Sequence, residues 1–188
     1  MLVVDDTALV KQGRHLVGMQ RQHCGQLGKT ANCQALVSLI LSCGEVPAPV
    51  ALRLFLHERW ADDALRRERA GVPPDLTFHP KWQIALDEIA RLRSQGVRFG
   101  CVLGDAEYGK VALFRHALDD QGLAWGLGIP PTQKVFVPGV TTALPQPGTR
   151  GGRPRKHPVP SEPSRPVSSL FGALPRLKCY RALRRCLT

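Results

Sequence analysis

No apolar run in this 188-residue chain approaches the roughly 20 residues that a membrane-crossing helix needs. No signal-peptide pattern precedes the first apolar stretch, and no internal repeat is visible. The six cysteines, at 24, 33, 43, 101, 179 and 186, form no Cys-x-x-Cys pair. His23, Cys24 and Cys33 are near one another, but their spacing matches no common zinc site. Several of the cysteines lie in apolar runs, so the expectation is buried, reduced thiols of a cytosolic protein. The stretch 25–30 ends in Gly28-Lys29-Thr30, as a phosphate-binding loop does. That loop needs a glycine five residues before Gly28, and the position holds His23. A turn between strands is the reading left. The Asp-x-Asp spacing of phosphotransferase aspartates is absent as well. Acids are scarce at one end: from Pro138 onward ten Lys and Arg stand against one acid, Glu162.

Length and a 43% hydrophobic content allow one ordinary domain with a real core. The formal net charge is +11, which points to an acidic partner, nucleic acid first among them. Residues 1–137 hold 16 bases and 14 acids, so the excess charge sits in 138–188. Nine of the 16 prolines fall there too. The expected organisation is a core over 1–137 followed by a basic, Pro/Gly-rich and mostly disordered tail over 138–188. Arg150, Arg153, Arg155 and Lys156 form its most DNA-like part. They suit salt-sensitive phosphate contact or insertion into a narrow minor groove; a merely solvated basic tail is the plain alternative. The stretch 174–187 mixes basic and apolar residues and suits a helix formed on a partner.

Within the core, Leu2-Val3-Val4-Asp5-Asp6-Thr7-Ala8-Leu9-Val10 reads as a buried strand. Half-exposed alternation over 16–23, an apolar run over 34–43 and alternation around Arg53 over 50–56 read as further strands of an antiparallel meander. Residues 57–79 are charged and broken by Gly71, Pro73 and Pro74, an excursion with one short helix around 62–69. Trp82, Ala85, Leu86, Ile89 and Leu92 repeat at helical spacing between Pro80 and Gly96. A strand over 97–105, a helix through Val111, Phe114, Ala117 and Leu118 closed by Gly122, and a strand over 123–129 complete a β–α–β–α–β half. Trp82 and Trp125 are expected in the core.

Carboxylates in apolar strands are costly unless something positive pairs with them. Asp5 and Asp105 each interrupt or end such a strand. If the strands are neighbours, the two carboxylates suit a shared divalent metal and phosphodiester chemistry; otherwise each caps a strand end or turn. Asp6 points to the strand face opposite Asp5, so only one of the two serves such a site, and residue types alone do not choose. Tyr108, near Asp105, either positions a ligand or packs.

Val3-Val4-Asp5-Asp6-Thr7-Ala8-Leu9-Val10-Lys11-Gln12-Gly13, Val17-Gly18-Met19-Gln20-Arg21-Gln22, Gly25-Gln26-Leu27-Gly28-Lys29 and Asn32-Cys33-Gln34 follow one another in order. Leu54-Phe55-Leu56-His57-Glu58-Arg59-Trp60 and Asp105-Ala106-Glu107-Tyr108-Gly109 continue the series. Together they resemble the catalytic domain of DDE-type bacterial insertion-sequence transposases over about residues 2–170. The resemblance implies an α/β, ribonuclease H-like mixed sheet with helices packed on it. It also implies three carboxylates holding two Mg²⁺ ions, DNA as partner, a bacterial cytoplasmic setting and a homodimer in the intact family. The family's first aspartate, with a hydroxyl residue shortly after it, corresponds to Asp5 with Thr7; its second corresponds to Asp105. Its third carboxylate, a Glu on a later helix among Arg, Tyr and Lys, has no counterpart. Glu162 stands between Ser161 and Pro163, and Glu107 belongs to the second-aspartate motif. The chain starts almost inside a strand, and the likeness fades around 170–175. The expectation is a transposase core shortened at both ends and catalytically incomplete. The alternatives are a non-catalytic DNA-binding fragment and a metal-dependent nuclease of the same fold with another third ligand.

Overall fold

The opening apolar run is β1 (Leu2–Val10), and it sits in the middle of a six-stranded mixed sheet. The computed structural model describes residues 1–13, 16–43, 46–144 and 157–170. Met1–Gly128 forms one compact unit, and the described residues from Ile129 on belong to a second.

In the first unit β2 (Gln20–Cys24), β3 (Lys29–Cys43) and β4 (Val46–Leu54) follow β1. All pair antiparallel, as expected, but not as a simple meander. β1 lies beside β3, not β2. The reason is the length of β3: β1 covers one edge from Cys33 to Leu41, while β2 and β4 follow one another along the other edge. Pro47 and Pro49 confine β4 to a sheet edge, because neither can donate to a further strand. The strand expected over 16–23 starts only at Gln20. Gly18 has φ +74 and Met19 N–H bonds the Leu16 carbonyl, which makes a turn of the first part.

The excursion holds two short helices rather than one, α1 (Glu58–Ala61) and α2 (Ala64–Arg69). Asp63 caps the second through the Arg66 N–H. Then come α3 (Lys81–Ser94), β5 (Val102–Gly104), α4 (Ala106–Gly109), α5 (Ala112–Asp120) and β6 (Trp125–Leu127). β5 pairs parallel with β1 on one side and β6 on the other, the parallel half the β–α–β–α–β pattern implied. β5 is shorter than the expected 97–105 because Val97 belongs to the end of α3. Gly96 takes the left-handed conformation (φ +81), and Val97 N–H closes onto the Leu92 carbonyl.

One face of the sheet, through Leu2, Val4, Val37, Leu39 and Val102, packs on Ala85, Leu86, Ile89 and Leu92 of α3 and on Phe114 and Leu118 of α5. Each of the large side chains buried here contributes about 1.5–3 kcal/mol. Trp82 and Trp125 pack at the margin of this cluster, partly buried. Cys24, Cys33 and Cys101 are buried and Cys43 is exposed, and none of the four is in a disulfide.

In the second unit β7 (Lys134–Val135) pairs antiparallel with β10 (Arg165–Pro166), and β8 (Thr142–Ala143) with β9 (Val159–Pro160). α6 (Val167–Leu170) ends the described residues. Arg150, Arg153, Arg155 and Lys156, and the stretch 174–187, lie outside them.

Candidate active site

The parallel register of β1 and β5 runs Leu2–Val102, Val3–Leu103, Val4–Gly104. Asp5 and Asp105 each follow its last pair, Val4–Gly104. Asp5 continues β1, Asp105 stands just past the end of β5 where α4 begins, and both are exposed. Strand alternation sets Val3, Asp5 and Thr7 on the face opposite Leu2, Val4 and Asp6.

Each aspartate is held differently. Asp105 is the N-cap of α4: its Oδ1 accepts from the Glu107 N–H at 2.9 Å and the Tyr108 N–H at 3.4 Å. Asp5 Oδ1 accepts from the Asp6 N–H at 2.8 Å. The Asp5 carbonyl accepts from the Ser38 hydroxyl on β3 at 2.9 Å, and Ser38 is buried. Thr7 reaches the same hydroxyl at 3.5 Å. The position is thus fixed from β3 while its carboxylate stays open to solvent.

Asp6 faces the helices and is fully engaged. Lys81 Nζ, on the first residue of α3, lies 2.5 Å from Asp6 Oδ2, and the Tyr108 hydroxyl donates to Oδ1 at 2.6 Å. Lys81 also lies 5.3 Å from the ring centre of Phe55. The Asp6 carboxylate therefore joins β1, α3 and α4. Tyr108 is buried and tilted against Phe114 at 5.6 Å. Burial, and then the charges of Asp6, Asp105 and Asp5, push its pKa far up, so the hydroxyl stays protonated and donates.

Two glycines bring α4 close to β6. A Cβ on Gly109 would overlap the carbonyl oxygen of Gly128, and one on Gly128 would come within 2.9 Å of the Ala106 nitrogen. The glycine of the Asp105-Ala106-Glu107-Tyr108-Gly109 motif thus has a steric reason, as it seats the helix that Asp105 caps.

Other sequence candidates lie elsewhere. Glu107 is exposed and paired with Lys110 at 2.8 Å. Glu162 is exposed on a bend between β9 and β10 in the second unit, not on a helix. Among the described residues no group of three or more His, Cys, Asp and Glu is placed to hold a metal ion, the His23, Cys24 and Cys33 grouping included. Burial, with Cys24 nearby, raises the Cys33 pKa, as for a thiol kept neutral. Residue reading missed Lys81: a lysine opening a helix looks like a solvated charge, and its partner lies 75 residues away.

A mixed sheet that gathers two aspartates at neighbouring parallel strands is an architecture suited to carboxylate-based nuclease chemistry. The family model described as DDE superfamily endonuclease matches residues 1–186, and the chain belongs to that family. The match continues past 170–175, where the motif-by-motif likeness fades. No curated protein and no solved structure matches the chain. Family membership implies a transposase-like nuclease domain with DNA as substrate, and DDE endonuclease domains generally use divalent metal ions. No helix among the described residues is long and apolar enough to cross a membrane.

Proposed function

We propose that Met1–Gly128 is the ribonuclease H-like core of an insertion-sequence transposase, with Asp5 and Asp105 as two carboxylates of its Mg²⁺ site. The observation that carries this is the parallel β1–β5 register, whose last pair, Val4–Gly104, immediately precedes Asp5 on one strand and Asp105 after the other. The sheet order supports the fold reading: an antiparallel β4-β3-β1 half and a parallel β1-β5-β6 half share the strand that bears Asp5. The donor set fits the metal, since exposed carboxylate oxygens are the hard ligands Mg²⁺ prefers. When bound, paired Mg²⁺ ions activate the attacking oxygen and stabilise the leaving one in phosphoryl transfer. The chain's own part is positional. Ser38 and the strand register hold Asp5, the first turn of α4 holds Asp105, and Asp6 ties both supports to α3. Asp5 is the better ligand of the adjacent pair because Lys81 and Tyr108 occupy the Asp6 oxygens.

The third carboxylate is missing from this reading. Glu162 is the sole acid after Pro138 and lies on a bend, while Glu107, on the short helix that Asp105 caps, is paired with Lys110 and belongs to the second-aspartate motif. The chain is therefore a two-carboxylate site that binds Mg²⁺ weakly and does not complete strand cleavage and transfer by itself. The missing ligand also favours a second reading, a DNA-binding fragment without catalysis. Arg150, Arg153, Arg155 and Lys156 serve DNA affinity in both readings.

Mn²⁺ titration followed by electron paramagnetic resonance, together with nicking of supercoiled plasmid in Mg²⁺, tests the assignment. The expected result is weak Mn²⁺ binding that Asp5→Asn and Asp105→Asn each remove, with no nicking above background. Binding that survives both substitutions would sink the assignment. Nicking abolished by Asp105→Ala would show that the chain does carry a third ligand.

A further inference from the structure

A groove of about 720 Å³ opens between β2 and the two excursion helices, and none of Asp5, Asp6 and Asp105 lines it. Its floor includes Met19 and Trp60, both buried, joined by a hydrogen bond from Trp60 Nε1 to the Met19 carbonyl at 2.8 Å. Four arginines line it, Arg21, Arg59, Arg66 and Arg69, against one acid, Asp63. That acid is engaged as the cap of α2. The arginines of this region divide sharply by role. Arg67 donates to the carbonyls of Ala61, Pro73, Pro74 and Leu76 and so knits the excursion together. Arg66 lies 3.7 Å over the Trp60 ring and bonds the Met19 carbonyl. Arg21, Arg59 and Arg69 are exposed, and their side chains have no hydrogen bond or ion pair among the described residues. Folding does not explain why three such cations converge on one groove. The Gln20 amide oxygen lining the same groove is also buried without a partner among the described residues.

We propose that this groove is a second DNA-contacting surface, which binds backbone phosphates through Arg21, Arg59 and Arg69. The inference rests on the family's DNA substrate and deepens it. Guanidinium groups suit phosphate oxygens because their planar fork gives paired, charge-assisted hydrogen bonds. Trp60, the aromatic of the groove, is fully buried and unavailable for stacking on a base, so the contact rests on the guanidinium groups and backbone phosphates. The charged excursion over 57–79 therefore has a purpose beyond connecting β4 to α3. It turns the edge strand β2 into one wall of a basic channel.

The test is fluorescence anisotropy of a labelled 30-bp duplex in EDTA over a salt series. The full chain is compared with its Arg21→Gln/Arg59→Gln/Arg69→Gln variant. Both are repeated in a full chain whose Arg150, Arg153, Arg155 and Lys156 are changed to Gln. The expected result, in both backgrounds, is an affinity loss of about tenfold or more at ~0.1 M salt and a salt slope shallower by about 2–3. Arg→Lys at the same three positions keeps most of the slope, and this variant also controls for folding. Unchanged affinity and slope in both backgrounds would overturn the proposal. So would a Gln variant that loses a poly-glutamate peptide but keeps DNA, which would make the groove a protein-docking site. Without metal in the assay, the outcome does not depend on whether Asp5 and Asp105 hold Mg²⁺.

Discussion

Asp5 and Asp6 are adjacent in sequence and opposite in circumstance. Asp5 leaves its carboxylate at the surface, whereas Asp6 is bound between an ammonium and a phenol. Substitutions around Asp6 are therefore expected to act on stability first. Tyr108→Phe keeps the ring against Phe114 and removes one hydrogen bond to a carboxylate, at a cost of about 1–2 kcal/mol in urea unfolding. Lys81→Met leaves Asp6 with the phenol alone and costs about 1–3 kcal/mol. Because both act on one carboxylate, the double variant is expected to depart from the sum of the two. Strict additivity would mean that the chain Lys81–Asp6–Tyr108 is not one unit. The aspartates themselves were legible, since charge inside an apolar run is rare enough to need a reason. Residue types alone did not choose between them and only the family resemblance pointed to Asp5, because the engagement of Asp6 depends on Lys81, which reaches it only through tertiary packing.

At the scale of elements, α4 is a four-residue helix that carries Tyr108 and is capped by Asp105. So short a helix has little stability of its own. Its place comes from contact, through Gly109 against Gly128 and Tyr108 against Phe114. Gly109→Ala forces α4 and the end of β6 apart and is expected to cost about 3 kcal/mol, a fall in Tm of about 6–12 °C. Gly25→Ala, where a Cβ meets open space, is the control and should change little. An unchanged Tm for Gly109→Ala would mean that the approach of α4 to β6 is not tight. Periodicity located the long elements: β1 and α3 were readable because an apolar run and a 3.6-residue repeat each extend over many residues. It overextended β5 and displaced the start of β2, where Val97 closes a helix and Gly18 makes a turn. Periodicity also gave no hint that β3 would serve three partner strands, because pairing is a property of two segments and not of one.

For the whole molecule, the ion network around Glu88 sets one limit on the pH range of the fold. Glu88 is buried on α3 between Arg53 of the edge strand β4, at 2.6 Å, and Arg91, at 2.7 Å. Burial alone would raise its pKa. The hydrogen bonds from Arg91 and Arg53, and then their charges, outweigh that and hold it below the ordinary value of 4.5. A carboxyl with a folded-state pKa below its unfolded one adds stability that is fully present above the unfolded value and fades as pH falls through the folded one. Wild type is therefore expected to lose stability on acidification below about pH 4.5 in part through this one residue. Glu88→Gln removes that contribution and costs about 2 kcal/mol near pH 7, the scale of a charge-assisted hydrogen bond at a buried site. The gap between the two proteins should narrow steadily below pH 4.5, because protonated Glu88 and glutamine then present nearly the same neutral group to the two arginines. Chemical denaturation of both proteins from pH 7 to pH 3 measures the gap directly. A gap independent of pH would assign the loss to packing rather than charge, and β4 would then be held on α3 by its apolar residues alone.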